Sequence, residues 1–178
     1  TGEISPTMLK DAGWAWVLTG HSERRHVIGE SPELVGKKTA FALEQGLSVI
    51  LCIGETLAQR RAGKLDSLLW LQLEKGLAGL GKDADFSRLA VAYEPVWAIG
   101  TGQTASNEDI CMVHTLVREL LSSLLGSDGI GIRILYGGSV KPSNAKSILT
   151  IDNVNGLLVG GASVQAQSFA DIVRADLA

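Results

Sequence analysis

Five short apolar runs constrain this chain more than any other feature: "AWVLTG" (15–20), "SVILCIG" (48–54), "RLAVAYE" (88–94), "IRILYGG" (132–138) and "GLLVGG" (156–161). None of them alternates polar with apolar residues. A strand with one wet face has to alternate, so these runs read as strands covered on both faces, the habit of parallel sheets. They recur at roughly 25- to 45-residue intervals, the spacing of β–α units.

Helix signals fill the gaps. Ser5 precedes Pro6 and Gly13 follows as a stop, and the same opening returns with Ser31 and Pro32, a helix to Gln45, and Gly46 closing it. Leu65, Leu69, Leu73, Leu77 and Leu80 form one apolar stripe; Ile110, Val113, Val117, Leu120 and Leu124 form another. Ser106 caps the latter, with Asp109 three residues on in the manner of a capping box. Residues 165–177 give the last helix. Strict alternation of this kind predicts an α/β fold, a parallel sheet of five βα units with right-handed crossovers. The whole chain, 1–178, reads as one domain without a linker. A doubly wound sheet and part of a (β/α)8 barrel both fit. Both place chemistry at the C-terminal ends of the strands.

Composition narrows the function classes. The net charge is −3, so no general field draws in nucleic acid or an anionic membrane, and a bound anion must be held by local geometry. Cys52 and Cys111 are too few for a disulfide framework, and the scattered His21, His26 and His114 do not make a metal site. No apolar run approaches the ~20 residues of a membrane span. The expected setting is a reducing cytoplasm.

The strand ends carry His21, then Gly54-Glu55, then Glu94, then Gly137-Gly138-Ser139, then Gly160-Gly161. Glu94 is followed at once by Pro95, and the next helix signal waits until Ser106, so it is not expected to cap a helix. A carboxylate at an apolar rim has its pKa raised by desolvation, which suits a general base. His21 sits where a new turn or helix begins, and there the dipole favours a neutral imidazole that donates a hydrogen bond. Glycine pairs after the last two strands fit anion binding through backbone N–H groups. "GTGQTA" (100–105) has the form of a dinucleotide fingerprint, but Pro95-Val96-Trp97 separate it from its strand, and it reads as accidental.

In sequence order, "GHSERR" (20–25), "LCIGE" (51–55), "AYEPVWAIGTG" (92–102), "YGGSV" (136–140) and "LVGGAS" (158–163) resemble the signatures of the triose-phosphate isomerase family. The resemblance implies an incomplete (β/α)8 TIM barrel and an isomerase of glycolysis and gluconeogenesis. That enzyme interconverts dihydroxyacetone phosphate and glyceraldehyde 3-phosphate through an enediolate and needs no cofactor. It also implies roles long assigned in this family, with Glu94 as the proton-shuttling base and His21 as the neutral electrophile. The phosphate would be held at Gly100, Ser139, Gly160 and Gly161. Val96, Trp97, Ala98, Ile99, Gly100, Thr101, Gly102 and Gln103 would form a closing lid. The partners it implies are a phosphorylated triose and no nucleic acid or membrane.

The chain departs from the family in one respect. It opens on "TGEISP" as if in mid-loop, and the first three βα units, with their Asn-x-Lys element, are expected to have no counterpart here except for their last helix, whose remnant is residues 5–13. Glu23, which resembles the partner of that lysine, is left without it. Five parallel strands cannot close a barrel of eight, so the open edges are expected to pair between copies, as a homodimer or higher homo-oligomer. Two functions therefore stand side by side: an isomerase, and a catalytically silent, self-associating partial barrel that retains at most phosphate binding.

Overall fold

The structure is a computed structural model that describes residues 3–81, 84–99 and 104–175. In chain order its elements are α1 (Pro6–Asp11), β1 (Trp16–Thr19), α2 (Ser22–His26), α3 (Pro32–Glu44), β2 (Ser48–Ile53), α4 (Leu57–Arg61) and α5 (Leu65–Leu77). After these come β3 (Leu89–Tyr93), α6 (Asn107–Leu125), α7 (Ser127–Gly131), β4 (Arg133–Tyr136), α8 (Pro142–Leu149) and α9 (Ala166–Arg174). The strands form one parallel sheet in the order β1-β2-β3-β4.

The starts of the long helices follow their capping chemistry. Ser5, Ser31 and Ser106 each accept an N–H from the first turn of α1, α3 and α6, satisfying a donor that has no partner inside the helix. The stripe beginning at Leu65 becomes α5, which buries Leu69, Leu73 and Leu77. It packs with α3 and α6 over the outer face of the sheet, where Val49, Leu51, Val91 and Ile134 share one core with Val35, Val113, Val117 and Leu121. Alternate residues of the same strands turn to the other face, as the two-residue strand period requires. The centre of the sheet is covered on both sides, and every residue of β3 is buried.

Four strands form where the sequence suggests five. The run at 156–161 contributes a single parallel bridge, Leu157 to Tyr136, with the Tyr136 N–H donating to the Gly156 carbonyl and the Leu158 N–H to the Tyr136 carbonyl. A glycine-bounded edge segment with one neighbour has half the ladder to hold it extended, and glycine adds no packing there. Short helices α2, α4 and α7 also lie outside the expected alternation, and α9 ends at Arg174. The final stretch of the expected helix, residues 176–178, lies outside the described residues.

The sheet is curled. The guanidinium of Arg133 on β4 lies 5.4 Å from the ring centre of Trp16 on β1. In a flat sheet those strands would stand three spacings apart, roughly 14 Å. Curling gathers the C-terminal strand ends around one cleft. β1, by contrast, has a neighbour on one side alone and is half exposed, with Trp16 39% and Leu18 45% accessible.

Candidate active site

Glu94 follows β3 directly and is 3% exposed. Its backbone continues the ladder briefly, with its N–H donating to the Ile53 carbonyl, before Pro95 ends it. Two neighbouring glycines exist to accommodate this residue. A Cβ at Gly54 would stand 1.8 Å from the Glu94 carbonyl oxygen, and one at Gly137 would meet the Glu94 Cγ at 3.0 Å. A side chain at Gly54 would push the Glu94 backbone away, and one at Gly137 would press on its side chain. The Gly137 N–H, read from sequence as an anion donor, is instead spent on the Tyr93 carbonyl at 2.8 Å.

His21 is the N-cap of α2, and its Nδ1 accepts the Glu23 N–H at 3.4 Å. An accepting Nδ1 carries no proton, so the hydrogen-bond network assigns the ring proton to Nε2. That Nε2 faces Glu94 Oε1 at 3.1 Å, and Glu94 Oε2 accepts the Ser22 N–H at 2.9 Å. Glu94 therefore does meet a helix start: that of α2, 72 residues earlier in the chain. This corrects the reading from sequence, which considered only the helix that follows it. Burial pushes the Glu94 carboxyl above its ordinary value, against the opposing pull of His21, the Ser22 N–H and the Arg25 guanidinium.

A cleft of about 350 Å³ opens beside this pair. Leu18, Ile99, Ser139, Lys141, Leu158, Gly160 and Gly161 contribute to its walls. The N–H groups of Ser139, Gly160 and Gly161 donate to no described residue, and a Cβ at Gly160 or Gly161 would project into open space. The cleft thus joins a carboxylate, an imidazole N–H and uncommitted backbone donors. That set can remove a proton beside a carbonyl group whose molecule also carries an anion.

The sequence model of the triosephosphate isomerase family matches residues 1–176. The chain belongs to the triosephosphate isomerase family. It is 63% identical to the triosephosphate isomerase of Nitratidesulfovibrio vulgaris (strain DSM 19637 / Miyazaki F) over 98% of this chain and 70% of that protein. Against the Lawsonia intracellularis enzyme the identity is 58%, over 98% of this chain and 69% of the relative. The triosephosphate isomerase of Chlorobium phaeobacteroides is 49% identical, with coverage of 98% and 70%. The fold is accordingly an incomplete barrel of the triosephosphate isomerase type, covering about 70% of those relatives' length.

The segment after Glu94 is the one expected from the sequence to form a lid. Val96, Trp97 and Ala98 form a short 3-10 turn, and Ile99 lines the cleft. Gly100, Thr101, Gly102 and Gln103 lie outside the described residues, so the lid tip and the Gly100 N–H have no structural account. The near end of this segment is tied down: the Trp97 indole N–H donates to Glu55 Oε1 at 2.9 Å, and the Val96 N–H donates to the Glu55 carbonyl. Arg60 holds the same carboxylate oxygen at 3.1 Å, contacts Asp109 at the start of α6, and stacks 5.3 Å from the Trp97 ring centre.

Sequence reasoning gave no role to Glu55, Arg60, Ser22 or Lys141. "LCIGE" marked Glu55 as a polar strand end, and Lys141 follows "YGGSV" directly. Neither position says which way its side chain points.

Proposed function

We propose that Glu94 and His21 carry out the isomerisation of dihydroxyacetone phosphate to glyceraldehyde 3-phosphate in this cleft. The observation that supports this most is the 3.1 Å contact between a buried, proton-seeking carboxylate and an imidazole Nε2–H at the mouth of a cleft with free backbone donors. Glu94 takes the proton from the carbon beside the carbonyl, and the Nε2–H hydrogen-bonds the carbonyl oxygen as it gains negative charge. The hydroxyl proton on the deprotonated carbon passes by way of His21 to the former carbonyl oxygen, and Glu94 returns its proton to the former carbonyl carbon, which completes the exchange. Ser139, Gly160 and Gly161 hold the phosphate through N–H groups, as neutral donors can where net charge is unfavourable. Both Glu94 oxygens have protein partners, so substrate must displace the His21 contact before the base can act. The lid, residues 96–103, closes over the site and excludes water. The reading places the protein in the cytoplasm with the sugar phosphates it converts.

Isomerisation of glyceraldehyde 3-phosphate by the purified chain tests the reading, with Glu94→Gln prepared identically to expose contaminating host enzyme. Activity that disappears in the variant supports it. Equal, negligible rates in both overturn it for the chain on its own.

A second reading rests on the β1 edge. A mostly apolar cavity of about 720 Å³ lies along it, lined by Ile4, Met8, Trp14, Trp16, Leu18 and Phe41 among others, with Trp14 63% exposed. An unpaired strand beside such a surface is a template for association, and a second copy of this chain is the occupant we propose. Light scattering across a concentration series decides it: a monomer throughout ends the idea.

A further inference from the structure

We propose that Lys141, held by Asn144, is the cation at the anion end of this cleft and sets how tightly a phosphate group is taken up. The proposal rests on the reading of Ser139, Gly160 and Gly161 as phosphate donors. A phosphate group brings close to two negative charges into a cleft whose wall already holds the Glu94 carboxylate. Backbone N–H groups supply only partial charges against that repulsion. Among the described residues lining the cleft, the one lysine or arginine is Lys141.

Its competitors are committed elsewhere. Arg25 pulls on Glu94 electrostatically but does not line the cleft; its Nε and NH2 donate to the carbonyls of Gly20 and Cys52. Lys141 forms no ion pair with any described residue, so its ammonium is not neutralised before a ligand arrives.

Asn144 gives the lysine a fixed base. Its Oδ1 accepts the Lys141 N–H at 2.7 Å, and its Nδ2 donates to the Ser139 carbonyl at 3.1 Å. One side-chain amide thereby closes the turn from Ser139 to Lys141. The turn carries a phosphate-facing peptide at one end and the cation at the other. Helix α8 begins immediately after, so its N-terminal dipole adds charge of the same sign.

Calorimetric titration of the chain with inorganic phosphate, at low and high salt, tests this without requiring turnover. Lys141→Ala is expected to weaken binding about five- to tenfold at low salt, with the gap closing as salt screens the charge. Lys141→Arg restores affinity, and Asn144→Ala weakens it by a smaller factor of about three. Lys146→Ala, which removes an equal charge further along α8, leaves affinity unchanged. If Lys141→Ala binds like the unaltered chain, or Lys146→Ala loses as much, the role of Lys141 is overturned while the phosphate cradle stands. If the unaltered chain takes up no phosphate, the cradle and the proposal fall together.

Discussion

Glu55 and Glu94 stand at the ends of adjacent strands, β2 and β3, and both are buried, at 0% and 3% exposure. Their surroundings differ. Glu55 Oε1 receives the Arg60 guanidinium, the Tyr93 hydroxyl and the Trp97 indole. Glu94 receives one backbone N–H and one imidazole, and desolvation raises its pKa. A buried carboxylate with a cation and two further donors is a fastener, and removing it takes a shared acceptor from all three donors while Arg60 keeps Asp109. A carboxylate whose desolvation outweighs the charges around it holds its proton more tightly, as a general base requires. Equal burial, one residue type and neighbouring strands thus give one carboxylate held by a cation and one whose pKa is raised, the role proposed for a base, and the difference is the company each keeps.

The largest effect expected from this contrast is on rate. Glu94→Gln should lower isomerase turnover by roughly 10³-fold or more in any active preparation, with little change in the urea midpoint. A variant that keeps its turnover would erase the distinction between the two carboxylates. Glu55→Ala should do the reverse in kind, costing about 3 kcal/mol in urea unfolding because Arg60 and the Trp97 indole lose their shared acceptor. Were Glu55→Ala as stable as the unaltered chain, the fastener reading would fail.

His114 extends the contrast to a third buried group. It is fully buried between the rings of Tyr93 and Tyr136, its Nδ1 meets the Asn153 carbonyl at 3.1 Å, and its Nε2 has no partner among the described residues. Burial drives its pKa from 6.5 down to about 4. Between those values the unfolded chain binds a proton that the folded chain refuses. Stability contributed by the neutral ring is therefore full above pH 6.5 and is lost as pH falls towards 4, by at most about 3 kcal/mol. His114→Gln should flatten that part of the stability–pH curve, and an unchanged curve would show that the imidazole is not the group responsible. The smallest effect concerns Glu94 itself. The acidic limb of kcat/KM should lie above the ordinary carboxylate value of about 4.3 and should not follow Glu55→Gln. A limb at the ordinary value would mean that burial does not tune the base.

Much of this was legible in the residues. Ser5, Ser31 and Ser106 announce their helices because a cap acts within three residues. The runs that become β2 and β3 lack alternation because both of their faces are covered. Glu94 and His21 could be singled out because strand ends are where such sheets place chemistry. The fifth run is held to a single bridge for the opposite reason. Its apolar content is that of a strand, yet ladder formation depends on neighbours that composition does not supply.

The sequence by itself determined the local elements, the family and which side chains stand at strand ends, all properties of residues a few positions apart. Tertiary structure decided which of those ends meet. The curl of the sheet brings Glu94 against Ser22 and His21, Trp97 against Glu55, and Lys141 to the cleft that Gly160 and Gly161 share. Curl accumulates from strand twist and helix packing over the whole sheet, so no single segment encodes it.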